Sequence, residues 1–296
     1  MTIVDEIFEE AGKDKTVELK PFDKNEWAMQ KKQERETIYQ LIDQSAMESV
    51  SSVESLETVL NVMARFDRYS VGNVLLIAKQ KPNATKLADF DTWKDSGALV
   101  KKGETGIMIL GPGREFAKED GSVGVTYNTR RLFDISQTTS QIEIAPAMTD
   151  TRTLLKGLLF NPPCEIVIDD TMRYPSNRFT VYDREEMKIF VRPGCSEAEM
   201  FQELSHQMSC VLFEMADYDL PDRDFVSACA SYVTCARYHI EPPKLRFEHI
   251  VRRANFETPK DIRNALDTVR ELAGHFSLNM AQYMKMHEKR RDDGAR

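Results

Sequence analysis

Residues 196–215 read SEAEMFQELSHQMSCVLFEM, and the fold of the second half of the chain turns on them. Ser196 is a good helix N-cap, and Glu197 and Glu199 put negative charge in the first turn, where the helix dipole favours it. Phe201, Leu204, Met208, Val211, Leu212 and Met215 then recur at helical spacing as one apolar stripe. Gln202 and His206, four residues apart, fall together on another face. A His-Glu-x-x-His string on a helix grips zinc through its two imidazoles, and the glutamate between them serves as general base. Here the string is Gln202-Glu203-Leu204-Ser205-His206, with an amide at the first ligand position. Such a string also occurs in helices by chance, so its surroundings decide its meaning.

Outward from this helix, strand candidates lie at Glu165–Ile168, Arg178–Tyr182 and Lys188–Val191, after a helix over 151–159. A second helix is predicted over about 224–238, and a charged pair of helices from 259 to about 289. Residues 136–150, rich in Thr, Ser and Gln, read as a linker. Upstream, residues 1–35 form a polar arm with a loop around 13–24, and helices follow between Gln33 and Tyr69. Ser51 and Glu54 fit a capping box, and Val71–Gln80 reads as a helix stopped by Pro82. Short β-prone pieces, Ala98–Lys101, Thr105–Leu110, Val123–Tyr127 and Arg131–Ile135, alternate with glycine turns. The pattern predicts an α+β chain whose N-terminal helices pack on a small sheet, with helices and a short sheet in its C-terminal half.

The bulk numbers suit a globular chain, with 41% hydrophobic and 30% charged residues over 296 positions. No signal peptide or membrane-length apolar run is visible, and five scattered cysteines form no CxxC pair, so a soluble cytoplasmic protein without a membrane partner is expected. The net charge of −8 argues against nucleic acid until it is resolved along the chain. Residues 64–114 carry 9 basic and 5 acidic groups, and residues 244–296 carry 12 and 8. A local basic surface binds phosphates on an acidic protein, although such an excess also describes an ordinary solvated face.

The stretch from about Asn177 to Ile240 resembles the ImmA/IrrE-like metallopeptidase domain at the C-terminal end of ArdC-type antirestriction proteins. The carriers are the QExxH helix and the following Phe225–Cys235 segment, in which Tyr232 and Cys235 match the family's EAExxAYxxC. The resemblance places Ala228 where a glutamate would be the third ligand. Two of three ligands are then absent, which implies a degenerate zincin-like domain with vestigial Gln202, Glu203, His206 and Ala228 and no cofactor. A rescued zinc site would draw on His206, Cys210, Asp224 and Cys229, but cysteine is also a common buried residue.

Residues 66–112 resemble the N-terminal domain of the same ArdC-type proteins, a domain described as binding single-stranded DNA. The match runs through Phe66, Tyr69-Ser70, Asn73, Leu76-Ile77, Gln80, Pro82, Phe90, Trp93, Gly97, Val100 to Gly103 and Gly106-Ile107. Leu132–Thr138 resembles the family's FDxxQT element. The residues themselves suit single strands, since aromatic faces stack on bases and nearby cations neutralise phosphates. Candidate contacts are Arg68, Tyr69, Asn73, Lys79, Lys81, Trp93, Lys101 and Lys102. Phe66, Phe90 and Trp93 also suit a core position.

The expected organisation is an arm at 1–35, an ArdC-like single-stranded-DNA-binding domain at 36–140, a degenerate zincin-like domain at 150–243 and a charged helical extension at 244–296. The expected function is binding of single-stranded DNA in an antirestriction protein of mobile-element origin, with the pseudo-metallopeptidase domain as scaffold or as a surface for a host or plasmid protein. Two alternatives stand beside it: an active zinc metallopeptidase with unusual ligands, and a protein-binding module without DNA affinity.

Overall fold

The computed structural model describes residues 24–117, 122–140, 149–169, 178–216 and 223–294. The chain divides into two compact units, 1–38 and 39–296. In the first, the described residues are the opening turns of helix α1 (Lys24–Ser49), where Lys31 pairs with Glu34 at 2.7 Å. That helix begins inside the segment read as a polar arm, because its first turns are helix-compatible but too polar to show an apolar period. The arm and loop expected over residues 1–23 lie outside the described residues.

Residues 39–296 are α+β. Helix α2 (Val53–Arg65) is capped by Ser52, whose hydroxyl accepts from Ser55 N. The cap predicted at Ser51 therefore sits one residue later, since Ser52 is the residue with extended backbone geometry. Helix α3 (Val71–Gln80) is capped by Ser70 and followed by β1 (Leu87–Ala88) and the short helix α4 (Phe90–Asp95). Strands β2 (Ile107–Ala117) and β3 (Val123–Asp134) pair antiparallel, and β1 pairs on the other side of β3. The two pieces read as Val123–Tyr127 and Arg131–Ile135 are one strand, because the register carries polar Asn128 and Thr129 opposite Gly111 and Leu110. Ala98–Lys101 is not a strand: only Val100 bridges Thr138.

The FDxxQT segment builds a 3-10 turn, Ile135–Gln137. Asp134 Oδ1 accepts from Thr85 N at 2.7 Å and Lys86 N at 3.0 Å, while Oδ2 accepts from Ser136 N at 3.0 Å. The Gln137 amide takes the Asp134 N–H at 2.9 Å and donates to Thr105 O at 2.9 Å. Five groups from three segments are thus tied to one buried carboxylate and one buried amide.

Helix α5 (Thr151–Leu158), capped by Asp150, leads into β4 (Glu165–Ile168), β5 (Thr180–Asp183) and β6 (Lys188–Val191). β6 is central, parallel to β4 and antiparallel to β5. Helix α6 (Glu197–Met215) follows, with Ser196 and Glu199 in a reciprocal capping box. Its stripe is buried at Phe201, Leu204, Met208 and Val211, packing with Leu154, Leu158, Ile189, Phe276 and Met280. Met215, at the end of the predicted stripe, is 59% exposed because the helix has run past that core. Each fully buried side chain of this size contributes about 1.5–3 kcal/mol.

Helix α7 (Arg223–Arg237) packs on α6 and on α2, placing the two sequence regions against one another. Helix α8 (Phe247–Ala254), not anticipated, ends at Asn255 in the left-handed region. The predicted pair of C-terminal helices is one helix, α9 (Pro259–Gly294), which packs along α7 and α5.

Candidate functional site

A cleft of about 570 Å³ opens between α6, α7, α8, β5 and the chain just before α8. Gln202, Glu203, His206, Cys210, Asp224 and Ala228 all line it, so the helical spacing read from the sequence does converge on one cavity. Cys229 does not line it; it is fully buried, and burial pushes its thiol far up.

The chemistry of these side chains is already committed. The Gln202 amide donates to Glu241 O at 2.5 Å. Glu203 Oε2 accepts from Phe179 N at 3.0 Å, Thr180 N at 2.8 Å and Thr180 Oγ1 at 3.0 Å. One turn on, Gln207 accepts from Tyr182 N at 3.2 Å, so α6 holds the edge of β5 by two side chains. Ser231 donates to Gln202 O and shares a hydrogen bond with Ser205, clamping α7 to α6 beneath the cleft.

Burial lowers the pKa of His206, and the nearby Arg178 and Arg223 push the same way, against a bond to the Ser227 backbone and the charge of Asp224. Neutral imidazole is therefore favoured. Cys210 is held as a thiol, again by burial first. Asp224 is occupied by Arg223 at 3.2 Å and Arg253 at 2.7 Å, and Arg223 also reaches Glu214 at 2.5 Å. Among the described residues no group of three His, Cys, Asp or Glu side chains is placed to hold a metal ion. The rescue set His206, Cys210, Asp224 and Cys229 is not brought together, because Cys229 points into the core while Asp224 is drawn to arginines.

In the N-terminal region the candidate contacts separate into two groups. Asn73 is 7% exposed, and its amide both donates to Leu110 O and accepts from Leu110 N, each at 2.8 Å. Gln80 makes the same pair of bonds to Met108, at 2.9 Å each, so α3 is stitched to β2 by two amides. Trp93 is 3% exposed and donates from its indole to Phe133 O at 2.8 Å. Both Asn73 and Trp93 thus have internal partners.

Arg68, Lys101 and Lys102 are exposed, and Lys81 and Tyr69 are partly so. Lys79 pairs with Glu48 at 2.5 Å, and Lys101 donates to Ser136 O at 3.0 Å. Lys102 precedes Gly103, whose φ of +89° needs glycine. Phe90, expected to suit the core, is 49% exposed, as is Tyr127 at 48%. Tyr127 lay in a strand pattern that gave no signal of which face it would take. The cleft cations Arg178, Lys244 and Arg246 were also unforeseen, since they come from separate segments with no shared spacing.

Residues 32–133 match the family described as the N-terminal domain of anti-restriction factor ArdC. A stretch of 70 residues is 39% identical to the uncharacterised protein pXO2-81 of Bacillus anthracis, covering 23% of this chain and 12% of that protein's length. The chain also resembles crystal structures of the antirestriction ArdC protein from plasmid R388. The Mn(II)-bound form aligns with a TM-score of 0.53 at 16% identity, over 76% of this chain and 98% of that one. The metal-free form gives 0.49 at 15% identity, over 72% and 86%. The ArdC-type resemblance read from the sequence therefore holds, in the N-terminal domain by sequence and more widely by fold.

Proposed function

We propose that this ArdC-type chain is a cytoplasmic single-stranded-DNA-binding protein of antirestriction type. Residues 36–140 are its binding domain, and 150–243 a metal-site-defective, peptidase-like frame that serves as scaffold or interaction surface, followed by the extension 244–296. The observation that carries the reading is the ArdC N-terminal match over 32–133, on a segment that leaves Arg68, Lys101 and Lys102 exposed. These cations would take phosphates, with Lys79 and Lys81 beside them. Tyr69, edge-on to Phe66 with centroids 5.8 Å apart, offers a face to a base. Asn73 and Trp93 act from within, Asn73 by holding α3 to β2 and Trp93 by holding α4 to β3.

The frame's chemistry follows from its donors. Catalytic zinc takes three protein ligands and leaves one position open, and manganese favours carboxylate, carbonyl and water oxygens. The R388 protein has a Mn(II)-bound structure. In this chain the positions where the zincin pattern expects ligands offer an imidazole, an amide whose nitrogen is already spent on Glu241, and the methyl group of Ala228. That set does not fit a tightly held divalent metal.

The test is fluorescence anisotropy of a labelled oligonucleotide over a salt series, with elemental analysis of the same sample. Tight binding that weakens steeply with salt, with metal well below one per chain, is the expected result. Stoichiometric zinc would favour a peptidase with unusual ligands, and absence of binding at low salt would favour a protein-binding module.

A further inference from the structure

Among the described residues, the cleft that would have held metal is lined by five cations, Arg178, Arg184, Arg223, Lys244 and Arg246, against two carboxylates, Glu203 and Asp224. Both carboxylates are engaged: Glu203 takes three donors from the edge of β5, and Asp224 takes two arginines. Arg184 and Arg223 are in turn drawn to Glu214, at 3.0 and 2.5 Å. Arg178, Lys244 and Arg246 are left exposed at the cleft, with no ion-pair partner among the described residues. Neutral donors leave the charge of Glu203 in place. Among the described residues the cations of the cleft still outnumber Glu203, Asp224 and Glu214, and such a concavity favours an anion, whereas a metal site would need the opposite.

The cavity is also too large for a bare oxyanion. About 570 Å³ lies in the range of small-molecule pockets, roughly 300–1,000 Å³. Val181, Tyr182, Leu245 and Ile250 give it apolar walls. Guanidinium groups suit phosphate through paired donors, and an ammonium adds a point charge. The geometry points to a nucleoside phosphate site in this cleft: Arg178, Lys244 and Arg246 hold the phosphate, and the apolar walls take the base and sugar. His206, neutral for the reasons above, sits in the same cavity without adding charge. The site lies wholly within residues 178–250 and does not depend on the DNA-binding surface of the N-terminal region.

Isothermal titration of the full chain with dAMP tests this, alongside inorganic phosphate and deoxyadenosine as partial probes. Saturable dAMP binding is expected, much tighter than either fragment, and weakened about tenfold or more in a triple Arg178→Gln, Lys244→Gln, Arg246→Gln variant. All three residues are exposed, so the variant is expected to fold, which its circular dichroism spectrum checks. Arg152→Gln, on α5 and outside the cleft, should bind dAMP normally. Competition with 5′-phosphorylated and 5′-hydroxyl oligo-dT then identifies the source. Competition by the phosphorylated strand alone indicates a strand end, and competition by neither indicates a free nucleotide. The proposal is overturned if dAMP does not saturate, if the folded triple variant binds it unchanged, if Arg152→Gln loses as much, or if inorganic phosphate binds as tightly as dAMP. Loss of oligonucleotide binding in a Lys101→Gln, Lys102→Gln variant that keeps dAMP affinity would separate this site from the DNA surface.

Discussion

Asn73 shows what one residue's chemistry does in this fold. Its two bonds to Leu110 replace a strand partner on one side of β2, inside a buried helix–sheet contact. Asn73→Ala leaves a backbone N–H and C=O unpaired there, at about 1–3 kcal/mol for an orphaned buried group. A loss of about 2 kcal/mol is expected, read as a lower urea midpoint at unchanged m-value. The sequence displayed this residue and Trp93 as polar or aromatic side chains of an ArdC-like pattern, equally suited to contact or to structure. Only the position of β2 and β3 separates those roles, and spacing along the chain carries no information about it. Gln202 and Ala228 were readable in the opposite sense, since helical periodicity alone puts Gln202 beside His206, and the cleft brings Ala228 to them. A Gln202→His, Ala228→Glu variant supplies a second imidazole and a carboxylate to that cavity. It is expected to take up about one zinc per chain where the parent does not, and elemental analysis after dialysis decides it. Failure of the folded variant to retain zinc would mean that these positions do not converge as ligands.

Among the elements, the 3-10 turn at Ile135–Gln137 depends most on charge. Burial alone would raise the Asp134 pKa, but hydrogen bonds from Ser136, Thr85 and Lys86 outweigh it, and the carboxyl titrates below the usual range. A pKa lower in the folded state than in the unfolded chain means that the ionised form stabilises the fold. That stabilisation is present above the unfolded value of about 3.9 and is lost as pH falls through the folded one. Asp134→Asn should therefore be clearly less stable than the parent at pH 6, and the gap should narrow steadily below about pH 4. Urea midpoints at several pH values measure this, and a gap independent of pH would show that the charge contributes nothing.

The elements themselves were unevenly legible. Helix α6 declared itself through Ser196, its acidic first turn and a long stripe. Helix α4 has a good cap, with Asp89 accepting from Thr92 N, but six residues are too few to show a period. Helix α8 has no side-chain cap, and α9 runs through a charged stretch that suggested a break where none exists.

At the scale of the whole molecule, charge and packing lead to separate expectations. If Arg68, Lys81, Lys101 and Lys102 together neutralise about four phosphates of a single strand, the plot of log affinity against log salt should have a slope near −3. A much flatter slope would place binding elsewhere or make it non-electrostatic. Packing bears on residues 39–296, which form one compact unit although composition suggested a linker at 136–150. Arg237, near the end of α7, explains part of this. It donates to Ala64 O at 3.2 Å and Met63 O at 3.4 Å at the end of α2, and to Ala273 O at 3.3 Å and Ser277 Oγ at 2.5 Å on α9. Asn61 of α2 also donates to the Tyr232 hydroxyl of α7 at 3.1 Å. One guanidinium thus satisfies carbonyls from helices about 200 residues apart in sequence, in a setting where each unpaired carbonyl is costly. Helices joined in this way should unfold together, so calorimetry of the full chain should show a single transition for residues 39–296. Arg237→Met keeps the apolar stem but takes the guanidinium away from the Met63 and Ala64 carbonyls, while Ala273 O keeps the Ser277 hydroxyl, and a loss of about 2 kcal/mol is expected. Two resolved transitions in the parent protein would mean that the regions on either side of 136–150 fold independently, and that the α2–α7 contact follows folding rather than sustaining it.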